Sequence, residues 1–378
     1  MAFDLLVKGG HVIDPSQKIN DLRDVALSDG KVAAVEKNIP DSAAKEIVDA
    51  NGLIVTPGLL DLHIHAYVGA SHYGIEPDPN NIAKGVTTAL DAGSSGADTF
   101  LGFRKYIIER SQTRLYALLN ISSMGMVSNK IGELEDLRWA DVEEAVKVGR
   151  SNQDLILGIK ARLSRLQAGE QDMDALKRAL EACEMLGSFL MIHVGDTRSS
   201  LEDIVAMLRP GDVVTHSFND RPHGVLDDSG RVYAGIREAQ DRGVVFDIGH
   251  GQGSFSFDVA EKALSQGFYP DNISSDIHIY NVNGPAFDQL TTLSKFLHLG
   301  MPLEDVIRLT TESTAKVMGK SGQLGTLRVG SEGDVTLTSL EEGDFTMYDK
   351  ENRSVQSRHR LVHALTIKNG KIYSSKAV

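Results

Sequence analysis

His63 and His65 stand two apart at the close of the apolar run Leu53-Ile54-Val55-Thr56-Pro57-Gly58-Leu59-Leu60-Asp61-Leu62. Residues two apart on a β-strand point to the same face, so both imidazoles project together from the strand's C-terminal tip, in the manner of a chelate. A lone His-x-His pair also occurs in ordinary polar cores, so distant partners must decide between the two readings. Four are present. Apolar runs at 155–160, 188–193, 212–216 and 272–276 close on Lys160, His193, His216 and Asp276. Imidazole and carboxylate are common ligands of divalent metals. Lysine is not, because an ammonium is rarely buried without a partner and would repel a cation. Lys160 must therefore act there as a neutral amine or as an anion.

Apolar runs closed by one polar residue mark parallel strands buried on both faces, with chemistry confined to their C-terminal ends. Strand-like segments end near His65, Asp91, Asn120, Lys160, His193, His216, Asp247 and Asp276, which matches the eight strands of a closed barrel. Between them lie helical patterns such as 139–148 and 173–182, with apolar residues spaced three and four apart. Residues 302–310 read as the last helix, with Pro302 at a permissible first position. This alternation predicts an α/β fold, a (β/α)8 TIM barrel over residues 57–319. Residues 1–56 and 320–378 instead alternate short strands with turns, as in 4–14, 24–35, 334–338 and 361–373. Neither end has strands enough for its own core, so the two are expected to form the halves of one small β-sandwich beside the barrel.

Taken in order, His63-x-His65, Lys160, His193, His216 and Asp276 resemble the amidohydrolase superfamily of metal-dependent hydrolases. Within it the chain is similar to the binuclear, dihydroorotase-like branch that includes amidohydrolases and deacetylases. The resemblance runs from Pro57-Gly58-Leu59-Leu60-Asp61-Leu62-His63-Ile64-His65 to Gly325-Thr326-Leu327-Arg328-Val329-Gly330-Ser331-Glu332-Gly333-Asp334-Val335, essentially the whole chain. It implies two divalent metal ions, Zn2+ or alternatively Mn2+. His63, His65 and Asp276 would hold the more buried ion, His193 and His216 the more exposed one. Lys160, carboxylated by carbon dioxide to N6-carboxylysine, would bridge them. A hydroxide shared by the two ions would attack a carbonyl carbon, with Asp276 as the catalytic general base and acid that moves its proton to the leaving group.

Nearby residues are candidates for substrate contact. Arg162 lies two after Lys160, on the same face if the strand continues, and its planar fork suits a carboxylate; the competing reading is a salt bridge to a loop acid. Tyr67 lies two after His65, His250 follows the seventh strand, and His278 and Tyr280 follow the eighth. Gly249, Gly251 and Gly253 flank His250 and read as backbone bends rather than a phosphate cradle. His72, His223, His298, His359 and His363 read as ordinary polar residues.

Departures from family patterns narrow the reaction. Dihydroorotases carry an arginine where this chain has Tyr67, and that arginine grips the carboxylate of the substrate ring. Superfamily deaminases lack the bridging lysine and place a glutamate three after the fifth-strand histidine, where this chain has Asp196. The expected activity is hydrolysis of an amide or ester of a small acylated carboxylic acid, an N-acetyl amino acid or an O-acetyl 2-hydroxy acid. Cyclic amidohydrolase chemistry is the alternative, followed by deamination and by a catalytically silent scaffold. Scaffold relatives typically lack several ligands, and here all six are present.

Composition sets the remaining bounds. With 378 residues and a formal net charge of -13, the chain is large enough for a barrel plus a satellite and has no basic cluster beyond Arg358-His359-Arg360. Nucleic acid and anionic membranes are thus not expected as partners, and a small-molecule substrate is. Cys183 is the single cysteine, so no intrachain disulfide can form and a reducing, cytoplasmic location is expected. No apolar stretch approaches the roughly 18 residues of a membrane span. The resemblance further implies assembly into homo-oligomers.

Overall fold

Fifteen strands appear in the computed structural model, which describes residues 2–350 and 353–373. The chain opens with β1 (Phe3–Asp14), β2 (Ile19–Ser28), β3 (Lys31–Glu36), β4 (Ala44–Asp49) and β5 (Ile54–Pro57). It continues, with helices between, through β6 (Leu59–Ile64), β7 (Val86–Gly96), β8 (Arg114–Asn120), β9 (Ile156–Arg162), β10 (Phe189–His193), β11 (Val213–Thr215) and β12 (Val245–Phe246). It closes with β13 (Val335–Tyr348), β14 (Ser354–Lys368) and β15 (Lys371–Ile372).

Strands β6 to β12 pair in sequence order as one parallel sheet. Helical crossovers return the chain each time to the starting end, as parallel neighbours require. Side chains alternate between two apolar clusters. Leu59 and Ile64 join the large cluster beneath the surrounding helices, whereas Leu60 and Leu62 pack inward with Leu90, Leu118, Met191 and Val213. The sheet is curled, because residues 272–277 bridge to both of its edges, Ile277 to Ile64 and Asn272 to Asp247. The eighth strand expected to end at Asp276 is therefore represented by isolated bridges. Toward β12 the segment keeps backbone bonds, from Ile248 N to Asn272 O and His250 N to Ser274 O, whereas toward β6 Ser275 N donates to the Asp61 side chain.

The two chain ends share one hydrogen-bonded sheet, in the order β15-β14-β13-β5-β1-β2-β3 with β4 also on β1. The cause lies in β1, whose register shifts between Val7 and Gly10, so one strand serves β4 with its first half and β5 with its second. Gly9 takes φ +75 there, and a Cβ on Gly10 would lie 2.3 Å from Val55 Cγ2; such bulges bend a sheet and favour glycine. Leu5, Val7, Val25, Leu27, Val55, Val335, Leu337 and Ile367 form one buried apolar cluster. Gly58 alone separates β5 from β6, tying this sheet directly to the strand that carries the His-x-His pair.

The helix expected from residue 139 begins at Val142, because the Asp141 side chain accepts from Glu144 N and caps it there. Cys183 is buried within the helix Asp172–Leu186. No helix among the described residues is long and apolar enough to cross a membrane.

Candidate active site

The six residues picked out by spacing meet at the C-terminal ends of the parallel strands. His63 and His65 leave β6 with ring centroids 5.3 Å apart, His216 lies 5.1 Å from His63, and His193 lies 4.3 Å from His216. Nε2 of His63 and Nε2 of His65 each approach Asp276 Oδ1 to 3.3 Å. Ligand atoms of His63, His216 and Asp276 all fall within 4.8 Å of one another.

Each ring is turned by a bond at its other nitrogen. His216 Nδ1 lies 2.7 Å from Gly249 O, so that nitrogen carries the proton and Nε2 is a free lone pair. Thr215 Oγ1 donates to Asp247 Oδ2 at 2.7 Å and so accepts from His63 Nδ1 at 2.9 Å, giving His63 the same tautomer. His65 Nδ1 bonds Ser94 Oγ at 2.9 Å. Outer partners of this kind orient metal-binding histidines. Burial pushes His63, His65 and His193 well below the ordinary imidazole value and His216 to about 4, so the rings are neutral and able to ligate.

Lys160 is wholly buried, and its Nζ has no hydrogen-bond partner; Asp276 Oδ1 is likewise buried without one. A polar group left this way costs free energy unless something else satisfies it. Burial pulls the Lys160 amine down to about 7 and pushes the Asp276 carboxyl up. Neutral imidazoles, an orphaned carboxylate oxygen and an amine that readily loses its proton form a donor set that fits divalent cations.

The backbone is strained to make this arrangement. His216 and Asp276 adopt φ of 67° and 46°, the left-handed region that side chains avoid unless the surroundings impose it. Glycines supply the space. A Cβ on Gly93 would lie 2.5 Å from Lys160 Cβ, and one on Gly251 would lie 2.5 Å from Asp276 Oδ2. Below the site three buried carboxyls hold the strand ends: Asp61 accepts from Ser275 N and His63 N, Asp91 from Ala66 N and Ser94 N, and Asp247 from Thr215 and Ser274.

A cavity of about 300 Å³ opens above these groups. Arg162 and His278 line it, as the spacing suggests, but Arg162 gives Nε and Nη2 to Glu133 at 2.5 and 2.9 Å. The salt bridge to a loop acid is therefore what the arginine forms. Three other expectations are corrected. Tyr67 does not line the cavity, because its hydroxyl donates to Thr99 O and its ring packs on Phe103. His250 is buried elsewhere, stacked on Phe255 with Nε2 2.7 Å from Lys295 Nζ. Tyr280 lies outside the lining, beside Tyr73 and His72, and is half exposed.

Several lining residues escaped the sequence reading. Tyr73 stacks on His65 with centroids 5.0 Å apart and faces the Arg162 guanidinium, yet nothing in its spacing marks it. Glu133, outside the lining but paired with Arg162, sits in the loop between β8 and β9, with no periodicity to reveal it. Asn219 and Arg221 could have been found, since they follow His216 at the mouth of the same strand.

A curled parallel α/β sheet carrying a histidine and carboxylate cluster at its C-terminal end defines a metal-dependent hydrolase architecture. A family model described as the amidohydrolase family matches residues 256–373. A protein of Brucella anthropi named deacetylase is 35% identical over 346 residues, covering 90% of this chain and 86% of its own. Another deacetylase, from Enterococcus faecalis, is 34% identical over 99% of this chain and 100% of its own. Solved structures described as an adenine deaminase and a dihydroorotase superpose with TM-scores of 0.92 and 0.89, at 33% and 31% identity and at least 99% coverage of both chains. The chain belongs to the amidohydrolase family.

Proposed function

We propose that the protein is a binuclear-metal hydrolase that cleaves the amide or ester bond of a small acylated carboxylic acid. The observation carrying this reading is Lys160, a fully buried amine without a partner among four histidines and an aspartate. With its pKa near 7, much of the amine is neutral at physiological pH and can add to carbon dioxide, losing one proton to form a carbamate. His63, His65 and Asp276 would hold one cation, His193 and His216 the other, and the Lys160 carbamate would offer one oxygen to each. When bound, two such cations polarise a carbonyl and acidify water.

The chain's own residues do the rest. Asp276, raised toward the protonated form by burial, takes the proton of the attacking water and returns it to the leaving nitrogen or oxygen. His216 and His63 are held in one tautomer by Gly249 O and by the Thr215–Asp247 pair, so no proton competes for Nε2. The finer architecture that goes with this reading is a (β/α)8 barrel over residues 57–319 in which segment 272–277 is the eighth strand. The deacetylase names of the full-length relatives favour acyl transfer to water.

Deamination is the second reading, favoured by the likeness to the structure described as an adenine deaminase. A panel of N-acetyl amino acids, O-acetyl 2-hydroxy acids, dihydroorotate and adenine, assayed with Zn2+ or Mn2+ and bicarbonate, separates the two. Turnover of acetylated acids with acetate release is expected; ammonia release from adenine alone would overturn the proposal.

A further inference from the structure

Two arginines line the cavity, and their surroundings differ. Arg162 is buried with its fork engaged by the equally buried Glu133, and its remaining Nη1 lies 3.4 Å from the Tyr73 hydroxyl. Its charge is already cancelled at contact distance. A substrate carboxylate arriving there would set two anions side by side in a poorly solvated space. Arg221 has no carboxylate within 4.0 Å among the described residues. The adjacent acid is spent elsewhere, since Asp220 is ion-paired with Lys350.

Arg221 is exposed at the mouth of the cavity, and its backbone is held in place. Asn219 closes a turn on His216, donating from N and Nδ2 to His216 O at 3.2 and 2.6 Å and accepting from Arg221 N at 2.8 Å. The arginine is thus tied, two residues on, to the residue fixed against a candidate metal ligand. Its side chain runs between two glycines, with Cγ 3.4 Å from a Cβ built on Gly195 and Nη2 3.4 Å from one built on Gly253. Larger side chains at either glycine would crowd it. Gln252, Ser254 and Ser164 supply further polar groups around the same space.

We infer that Arg221, not Arg162, receives the carboxylate of the acylated acid proposed above, within a cavity of about 300 Å³. Arg162 with Glu133 is then a neutral wall that holds Tyr73 against His65. The inference rests on the hydrolase reading above and adds its recognition element. A planar fork without a competing anion binds a carboxylate through two parallel hydrogen bonds.

The test compares metal-loaded wild type with Arg221→Met and Arg221→Lys, on acetylated α-acids and on the corresponding primary carboxamides. For Arg221→Met, kcat/KM on the acids should fall roughly 10- to 100-fold more than on the carboxamides, the scale of a charged hydrogen bond. Most of the loss should appear in KM, with partial recovery in Arg221→Lys. Equal losses on acids and carboxamides would overturn the assignment. Calorimetric titration with lactate distinguishes failure of the subsite from failure of the hydrolase reading. If no acyl substrate turns over but lactate binding is lost in Arg221→Met, the subsite stands and the reaction assigned to it falls. Unchanged lactate affinity in the variant removes the subsite.

Discussion

Replacing Lys160 with methionine should make the metal-free protein more stable while abolishing its ability to hold two cations. Methionine occupies a similar volume without bringing a charge. In the native fold, burial pulls the amine from 10.5 to about 7, a difference equivalent to roughly 5 kcal/mol at 1.36 kcal/mol per tenfold change. Because the folded value lies below the unfolded one, the unfolded chain alone holds the proton between pH 7 and 10.5. Wild-type stability is therefore lowest, on this account, near and below pH 7 and rises with pH across that window. Urea unfolding of chelated, bicarbonate-free protein reads the effect directly. Near pH 7 the variant should exceed wild type by about 2 to 5 kcal/mol, and the gap should close toward pH 10. A variant less stable than wild type at pH 7, or a gap that does not change with pH, would refute the reasoning by showing that the amine is a satisfied structural group.

Lys295 provides the contrast, because burial brings its amine to about 7 as well, yet its Nζ meets His250 Nε2 at 2.7 Å and Pro285 O at 2.9 Å. Lys295→Met should lower stability by about 1 to 3 kcal/mol, the cost of stranding buried acceptors, measured in the same urea series. Glu133→Gln should cost about 3 kcal/mol or more by leaving the Arg162 charge buried and unpaired, and the double variant Glu133→Leu with Arg162→Met should recover most of it. Gly251→Ala places a methyl 2.5 Å from Asp276 Oδ2 at a φ of +58. It should reduce kcat at least tenfold through the displaced carboxylate, while the backbone strain lowers stability by only about 1 to 2 kcal/mol.

The candidate cluster was readable in the sequence because parallel strands buried on both faces admit few polar residues. His63, Lys160, His193, His216 and Asp276 stand out at the ends of apolar runs for that reason. The order of the strands followed from the same alternation. What spacing could not show is where loop side chains turn. Tyr67 has the right offset from His65, yet the chain leaves β6 immediately before His65, period two no longer applies, and the hydroxyl finds Thr99 O instead. His250 is drawn away by Lys295, from a helix 45 residues downstream. Glu133 joins the site only through Arg162, and Tyr73 through tertiary contacts with Arg162 and the His65 ring. The terminal strands were legible, but not that β1 joins them into one hydrogen-bonded sheet, since the bulge at Gly9 and Gly10 decides that and a glycine pair also fits a plain turn.

The central claim is that Lys160, as a carbamate, joins two cations held by four histidines and Asp276. It is tested most directly by measuring metal content together with 13C NMR after loading with 13C-labelled bicarbonate and Zn2+. The account predicts about two equivalents of metal per chain and a carbamate resonance, both lost in Lys160→Met. One equivalent or none, with the amine unmodified in saturating bicarbonate, would contradict it.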